Sequence, residues 1–336
     1  MAPTLLSEQE IRDLIGPAEA LDSVREAFAA LAREHAETPN VIIIEIPESR
    51  GEVHVKGAQL SGSPYYAVKF ASVFEDNPAM GLPVAGGLVL AFDAKTGCLA
   101  GVLLENGFLT DLRTGAAGAL AADLLARRDM EQVGIIGTGA QGRYQLEALL
   151  GVRRPQRVLA YSRSAEAAAA YAVEMQARHG LSVSAVETAQ AAVEHSDVVI
   201  CATPSREAYL RPEWVSAGTH ITAMGSDNPA KQELFPEVLG HADKVVVDSL
   251  DQCLSKGELH HAVEHGVMAP AQVYAELGEI AAGLKPGRTS ESEITVADLT
   301  GIGAQDTAVA SRVLRSALAA GMGTDLMWPR GGTRNE

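Results

Sequence analysis

Residues 133–150 read VGIIGTGAQGRYQLEALL: an apolar run, then glycines at 137, 139 and 142, then a stretch with helical spacing. Each glycine has a separate physical task. Gly137 allows the tight turn out of a strand. Gly139 lets the backbone approach a pyrophosphate, and Gly142 lets the following helix pack closely on the strand. The first turn of that helix offers unpaired N–H groups to phosphate oxygens. A strand, a glycine turn, a helix and a further strand in this order predict a dinucleotide-binding βαβ unit.

The rest of the chain fits around this unit. QVGIIG, RVLAYS, LSVSAV, DVVICAT, THITAM and KVVVD are short and almost wholly apolar, as strands buried on both faces of a parallel sheet are. Helical stretches separate most of them, which predicts a Rossmann-type, doubly wound α/β domain over residues 119–304. The first hundred residues have a different texture. Ser7 and Glu10 form a capping-box pattern before the first of two helices in residues 7–35. VIIIEI, GEVHVKGAQL, YYAVKFASVF, AGGLVLAF and LAGVLLEN then follow with no helix between them, which predicts a largely antiparallel sheet. The last helix, AQDTAVASRVLRSALAAG, is expected to return to this sheet, so residues 1–118 and 305–336 form one discontinuous mixed α/β domain. Five apolar strands with little helix to cover them need a partner surface, so a homodimer joined through that sheet is expected.

The ends of the parallel strands define the ligand crevice. An NAD site usually carries Asp or Glu after the second strand, to bond the adenosine ribose. This chain has Ser162, Arg163 and Ser164 there, with no carboxylate to repel a phosphate. NADP is therefore the expected cofactor, with NAD as the alternative. The formal charge of −16, from 43 acidic and 27 basic residues, argues against a nucleic-acid partner, which needs clustered cations. It also means that an anionic substrate must be held by local cations against the overall field. Three scattered cysteines, no apolar run of membrane length and no basic-then-apolar leader give the expectation of a cytoplasmic protein with no membrane partner.

Five stretches, AVKFASVFEDNPAMGLP, LLENGFLTDLRTGAAGALAA, VGIIGTGAQGRYQLEAL, AMGSDNPAKQEL and DLTGIGAQDTAVA, resemble the ornithine cyclodeaminase/μ-crystallin family, in the family's order. The resemblance implies a homodimer with a Rossmann domain set into a mixed α/β dimerisation domain. It implies an NAD(P)-dependent oxidoreductase acting at the α-carbon of a small imino, ketimine or amino acid. It also admits a cyclodeaminase that cycles its hydride internally, including one of ectoine breakdown, and a non-catalytic NADP-binding protein. Carried over, Lys69 matches the family's substrate-carboxylate and acid/base lysine, Arg113 its carboxylate-binding arginine, and Asp227 its catalytic acid. Thr114, Ala140, Gln141, Ser162, Thr203, Ala223, Met224, Gly225, Ser226, Lys231 and Thr300 match cofactor contacts.

These residue types suit the chemistry without the family name. An α-imino acid must be fixed by its carboxylate and kept protonated on nitrogen to accept hydride. A planar guanidinium suits the carboxylate, and a lysine close to an aspartate, both partly buried, can be tuned for proton transfer. Lys69 lies in an apolar strand, and Arg113 opens a helix, where the dipole disfavours a cation; both placements point to function. Two departures stand out. Pro39–Asn40 lacks the arginine that cyclodeaminases of the family carry after the proline, and Val84 replaces a frequent hydroxyl. Strand alternation puts His54 and Lys56 on one face, where Lys56 can supply the missing cation as a substrate ligand. His261 and His265, four apart, are read as helix surface and Cys201 as a buried strand residue, and no metal is expected.

Overall fold

A computed structural model describes residues 2–39 and 41–326; Asn40, with its missing arginine, lies outside them. The helices Glu8–Leu14 and Pro17–Ala32 form as the sequence predicts. Ser7 caps the first, its Oγ accepting from the Glu10 N–H while Glu10 accepts from the Ser7 N–H at 2.9 Å. The five predicted strands follow as Ile42–Ile46, Gly51–Leu60, Tyr65–Phe74, Ala85–Asp93 and Leu99–Leu103.

These strands join one sheet in the order Thr324–Asp325, Thr4–Leu6, Leu99–Leu103, Ala85–Asp93, Tyr65–Phe74, Gly51–Leu60, Ala36–Glu37, with Ile42–Ile46 also paired to Gly51–Leu60. Neighbours run antiparallel, except that Thr4–Leu6 lies parallel to Leu99–Leu103. The register sets Lys56 directly opposite Lys69. Two cations facing each other across a ladder are ordinarily destabilising, so this pair needs an anion.

The helix Gly303–Ala320 brings that anion. It lies across the strands Gly51–Leu60 and Tyr65–Phe74 and packs on the helices Pro17–Ala32 and Phe108–Leu125. Its apolar face, with Val309, Val313 and Ala317, joins a core with Leu6, Phe28, Leu103 and Leu120. The last helix thus packs on the N-terminal sheet.

The second sheet is wholly parallel, in the order Ser182–Ala185, Arg157–Tyr161, Gln132–Ile136, Val198–Cys201, His220–Ala223, Thr295–Asp298, Lys244–Val247, Ala275–Glu276. Its continuous apolar runs have a simple cause. Alternate residues face two different cores: Val133, Ile135, Val198 and Ile200 fill one, and Ile136, Val199, Cys201 and Ile221 the other. The order reverses between Gln132–Ile136 and Val198–Cys201, where sheets of this kind open a ligand crevice at their carboxyl ends. The strand Thr295–Asp298 was not expected; it inserts between His220–Ala223 and Lys244–Val247 and delivers the following residues to that crevice. No helix among the described residues is long and apolar enough to cross a membrane.

Candidate active site

At the reversal point the glycine motif has the geometry a pyrophosphate needs. Gly137 adopts φ +104°, and a Cβ there would overlap the Ala202 carbonyl of the neighbouring strand end. A Cβ at Gly139 would meet nothing within 4 Å, so the space above its backbone is open. The helix Ala140–Leu150 starts at this point. A cavity of about 560 Å³ runs from the motif past Ser162 and Arg163 to Thr203 and Tyr209. Glycine backbone, a helix start and an elongated crevice fit a dinucleotide.

The sequence-predicted contacts distribute unevenly around it. Ser162, Arg163 and Thr203 line the cavity. Ser164 instead caps the helix Ala165–His179, accepting from the Ala167 N–H at 3.1 Å. Gln141 donates to Asp111 at 2.6 Å and so ties the motif to the helix Phe108–Leu125. Thr114 is spent on its own helix, donating to the Thr110 carbonyl at 2.7 Å. Ala223 and Met224 are buried at the strand end, and Ser226 donates to the Lys231 carbonyl at 2.6 Å. Thr300 donates to Asp248 at 3.0 Å.

A buried carboxylate, Glu233, organises this rim and had no signal in the sequence. It accepts from Thr203 N–H and Oγ, from the Tyr209 hydroxyl and from Gly225 N–H, all between 2.7 and 2.8 Å. Burial raises its carboxyl above the ordinary value, against these donors. It locks the loops after Val198–Cys201 and His220–Ala223 to each other.

Across the crevice, Lys69 and Arg113 converge on one aspartate. Lys69 is 1% exposed. Its Nζ donates to Asp306 Oδ1 at 2.8 Å and to Thr110 at 3.1 Å. Arg113 donates from Nε to the same Asp306 oxygen at 3.1 Å and from Nη1 to Gln305 at 2.9 Å. Asp306 Oδ2 has no hydrogen-bond partner among the described residues. The helix carrying Arg113 begins at Phe108, so Arg113 lies in its second turn. The dipole argument drawn from sequence therefore does not apply, and burial is what singles the residue out. Gly301, at φ +81°, passes so close to Arg113 that a Cβ would stand 2.7 Å from Nη1. Because Gly301 follows the strand Thr295–Asp298, the cluster abuts the carboxyl end of the parallel sheet.

The electrostatics favour an anion. Lys56, also buried, donates to the Gly301 carbonyl at 3.0 Å. Lys69 and Arg113 thus share one ion-paired carboxylate, Asp306, and Lys56 stands opposite Lys69 with no ion pair of its own among the described residues. Burial, with the charges of Lys69 and Arg113, brings the Lys56 ammonium down to about 7. Burial also lowers Lys69, with Asp306 opposing. Burial alone would raise Asp306, but Arg113 and Lys69 outweigh it and hold the carboxylate ionised.

Asp227 has a different environment. It is half-buried and pairs with Lys231 at 2.6 Å, with no hydrogen bond to Lys69 or Arg113. Burial pushes its carboxyl up, and the charge and hydrogen bond of Lys231 more than reverse that. The aspartate that meets Lys69 is Asp306, not Asp227. The remaining candidates have structural explanations. His261 donates to the Lys231 carbonyl at 2.8 Å and His265 to its own helix. Cys201 is fully buried, and burial raises its thiol.

Known proteins share this fold. The Ornithine cyclodeaminase/mu-crystallin family matches residues 1–321. An alanine dehydrogenase of Archaeoglobus fulgidus is 39% identical over 330 residues, which are 98% of this chain and 100% of that protein. An archaeal alanine dehydrogenase dimer with bound NAD superposes with a TM-score of 0.92 at 38% identity, covering 98% of this chain and 100% of that one. The Delta(1)-pyrroline-2-carboxylate reductase of Thermococcus litoralis, in complex with NADH and L-proline, does so with 0.91 at 34% identity, over 96% and 100% of the two chains. A match of this extent in both sequence and fold means that the chain belongs to the ornithine cyclodeaminase/mu-crystallin family.

Proposed function

We propose that this protein is a nicotinamide-dependent oxidoreductase that moves a hydride to or from the α-carbon of a small imino, ketimine or amino acid. One observation carries the reading: the buried cationic cluster of Lys69, Arg113 and Asp306 sits at the carboxyl end of the parallel sheet that also bears the glycine motif. The nicotinamide ring, when bound, supplies or accepts the hydride. Arg113 and Lys69 then hold the substrate carboxylate, and their fixed partners keep both side chains in place. Lys69, with its ammonium depressed by burial, is suited to pass a proton at the substrate nitrogen. Asp227, ionised beside Lys231, is suited to stabilise a protonated imine rather than to donate to it.

The test follows reduced-cofactor absorbance with small α-keto acids plus ammonia, with cyclic imines and with ornithine. Cofactor oxidation by an imino acid is the expected result. Ammonia release from ornithine with no net cofactor change identifies a cyclodeaminase instead. Silence with every substrate sinks the enzymatic reading.

The finer cofactor choice is NADP(H). Both solved relatives described above hold NAD or NADH. The support for a phosphate here is Arg163, which is exposed, lines the cavity and has no ion-pair partner among the described residues, with no carboxylate at Ser162. Arg163→Ala should weaken NADPH binding about tenfold, worth ~1.4 kcal/mol, and leave NADH unchanged. A fluorescence titration in which NADH binds the wild type more tightly ends this choice.

The chain is further read as two units, 1–118 with 305–336, and 119–304, associating as a homodimer through the N-terminal sheet. Exposed Ile42 (60%), Ile43, Ile44, Met80 and Leu82 give that sheet an apolar margin that supports a partner copy. Light scattering at micromolar concentration should return twice the chain mass; the monomer mass would refute it.

A further inference from the structure

Glu105 is fully buried between the strand Leu99–Leu103 and the helix Phe108–Leu125. Its Oε2 accepts from the Leu109 N–H at 2.8 Å and from the Thr110 N–H at 3.3 Å, so the carboxyl caps that helix. Its Oε1 is buried and has no hydrogen-bond partner among the described residues. Gly87 makes room for this oxygen. A Cβ there would stand 2.8 Å from Oε1 and 2.6 Å from the Phe70 carbonyl oxygen. The niche of Oε1 thus presents an acceptor like itself and no donor. A buried oxygen in such a place is better served with a proton on it.

The same carboxyl is linked to the cationic cluster. Lys69 donates to the Thr110 hydroxyl at 3.1 Å, and Thr110 donates its own N–H to Glu105. The charges that act on Glu105 are Lys69, from the strand Tyr65–Phe74, and Asp306, from the helix Gly303–Ala320. The helix Phe108–Leu125 carries Asp111 and Arg113 in its first two turns, and Glu8 of the first helix is bonded to the adjacent Asn106. The strand Ala85–Asp93 faces Glu105 with Gly87, which has no charge. Burial raises the Glu105 carboxyl above its ordinary value, and the Lys69 ammonium opposes the rise. An anion docked on Lys69 and Arg113 cancels that opposition.

We propose that Glu105 takes up a proton when a carboxylate docks on Lys69 and Arg113, so that the substrate enters the site together with a proton. The proposal rests on the oxidoreductase reading for the identity of that carboxylate. In the free protein the Lys69 charge keeps Glu105 ionised. In the complex the incoming carboxylate neutralises that charge, and the proton settles on Oε1, facing the Phe70 carbonyl. The proton comes from solvent and returns to it on release. The sign is definite: an added anion raises a carboxyl, so the complex holds more protons than the free protein, and affinity falls as pH rises.

Calorimetry counts the proton. The protein, loaded with the oxidised nicotinamide dinucleotide it binds more tightly, is titrated with pyruvate in buffers of different ionisation enthalpy, from about pH 6 to 9. Uptake of up to roughly one proton per pyruvate is expected, with affinity falling by up to about tenfold per pH unit. In Glu105→Gln the amide oxygen can accept from Leu109 and Thr110 while the amide nitrogen donates to the Phe70 carbonyl, as the protonated acid would. This variant should melt at or above the wild-type temperature, and pyruvate should bind it without proton uptake. A merely structural cap would move the melting temperature and leave the proton count alone. Lys56, with its ammonium near 7, is the other group able to take the proton, so Lys56→Met should keep most of the uptake. The proposal is overturned if pyruvate does not bind, if it binds without a proton, or if the uptake survives Glu105→Gln. Imino-acid turnover without Glu105-dependent uptake leaves the oxidoreductase reading intact and removes this one. Glu105-dependent uptake with no turnover of any imino acid does the reverse.

Discussion

Asp306→Ala is expected to lower the unfolding free energy by about 3–5 kcal/mol, the usual cost of breaking a buried ionic network by removing one partner. Among the described residues the aspartate is the only carboxylate hydrogen-bonded to either Lys69 or Arg113, and its loss strands two cations at once. Denaturant melts of the single variant and of Asp306→Ala/Lys69→Met check the cause. The double variant should recover part of the loss, because one stranded charge is gone. A single-variant cost under about 1 kcal/mol, typical of an exposed pair, would show that the cluster is not a buried network. The pH dependence has a definite sign. The Asp306 carboxyl is held below its ordinary value, so its contribution is complete above about pH 4 and disappears as pH falls through the folded value.

Lys69→Met is expected to reduce kcat about 10²–10⁴-fold, the range of a lost general acid or base. Dinucleotide affinity should be unchanged, because the hydrogen bonds of Lys69 go to Thr110 and Asp306 and not to the glycine motif. Methionine keeps the volume of the buried stem, so packing is preserved. Arg113→Met should show mainly as a raised KM, since the guanidinium orients rather than transfers. Stopped-flow hydride transfer and cofactor titration on both variants separate the effects. A kcat loss below about tenfold for Lys69→Met would remove the proton-transfer role.

The parts of this site that sequence made legible are those with local rules. Gly137, Gly139 and Gly142 have a spacing dictated by a tight turn and a close approach. The five apolar strands alternate visibly, and Ser7 with Glu10 announces a cap. The parts that stayed hidden depend on contacts between distant residues. Asp306 looks like an ordinary acidic residue in the first turn of a helix, where an anion is expected anyway. Only the packing of that helix across the sheet reveals that it neutralises Lys69 and Arg113. Glu233 and Glu105 are likewise unremarkable in sequence, since charged residues are nearly always exposed. The strand Thr295–Asp298 is four residues long and follows a polar loop, too short for periodicity to distinguish. Asp227 is legible as a candidate from its motif, whereas its pairing with Lys231 depends on side-chain conformations that sequence does not specify.

The helix Gly303–Ala320 has a consequence for how the protein is made. Synthesis proceeds from the N-terminus, and domains generally fold as they emerge. Here the N-terminal sheet leaves the ribosome some two hundred residues before the helix that lies across it. Until then its apolar face is bare and Lys69 has no counterion. The parallel sheet, contiguous in sequence, can assemble first, while the first-made strands wait for the last-made helix. Chains released before residue 306 should therefore hold a folded dinucleotide crevice beside an unfinished, chaperone-dependent half. Catalytic competence then arrives in a single late step, when Asp306 docks between the two cations.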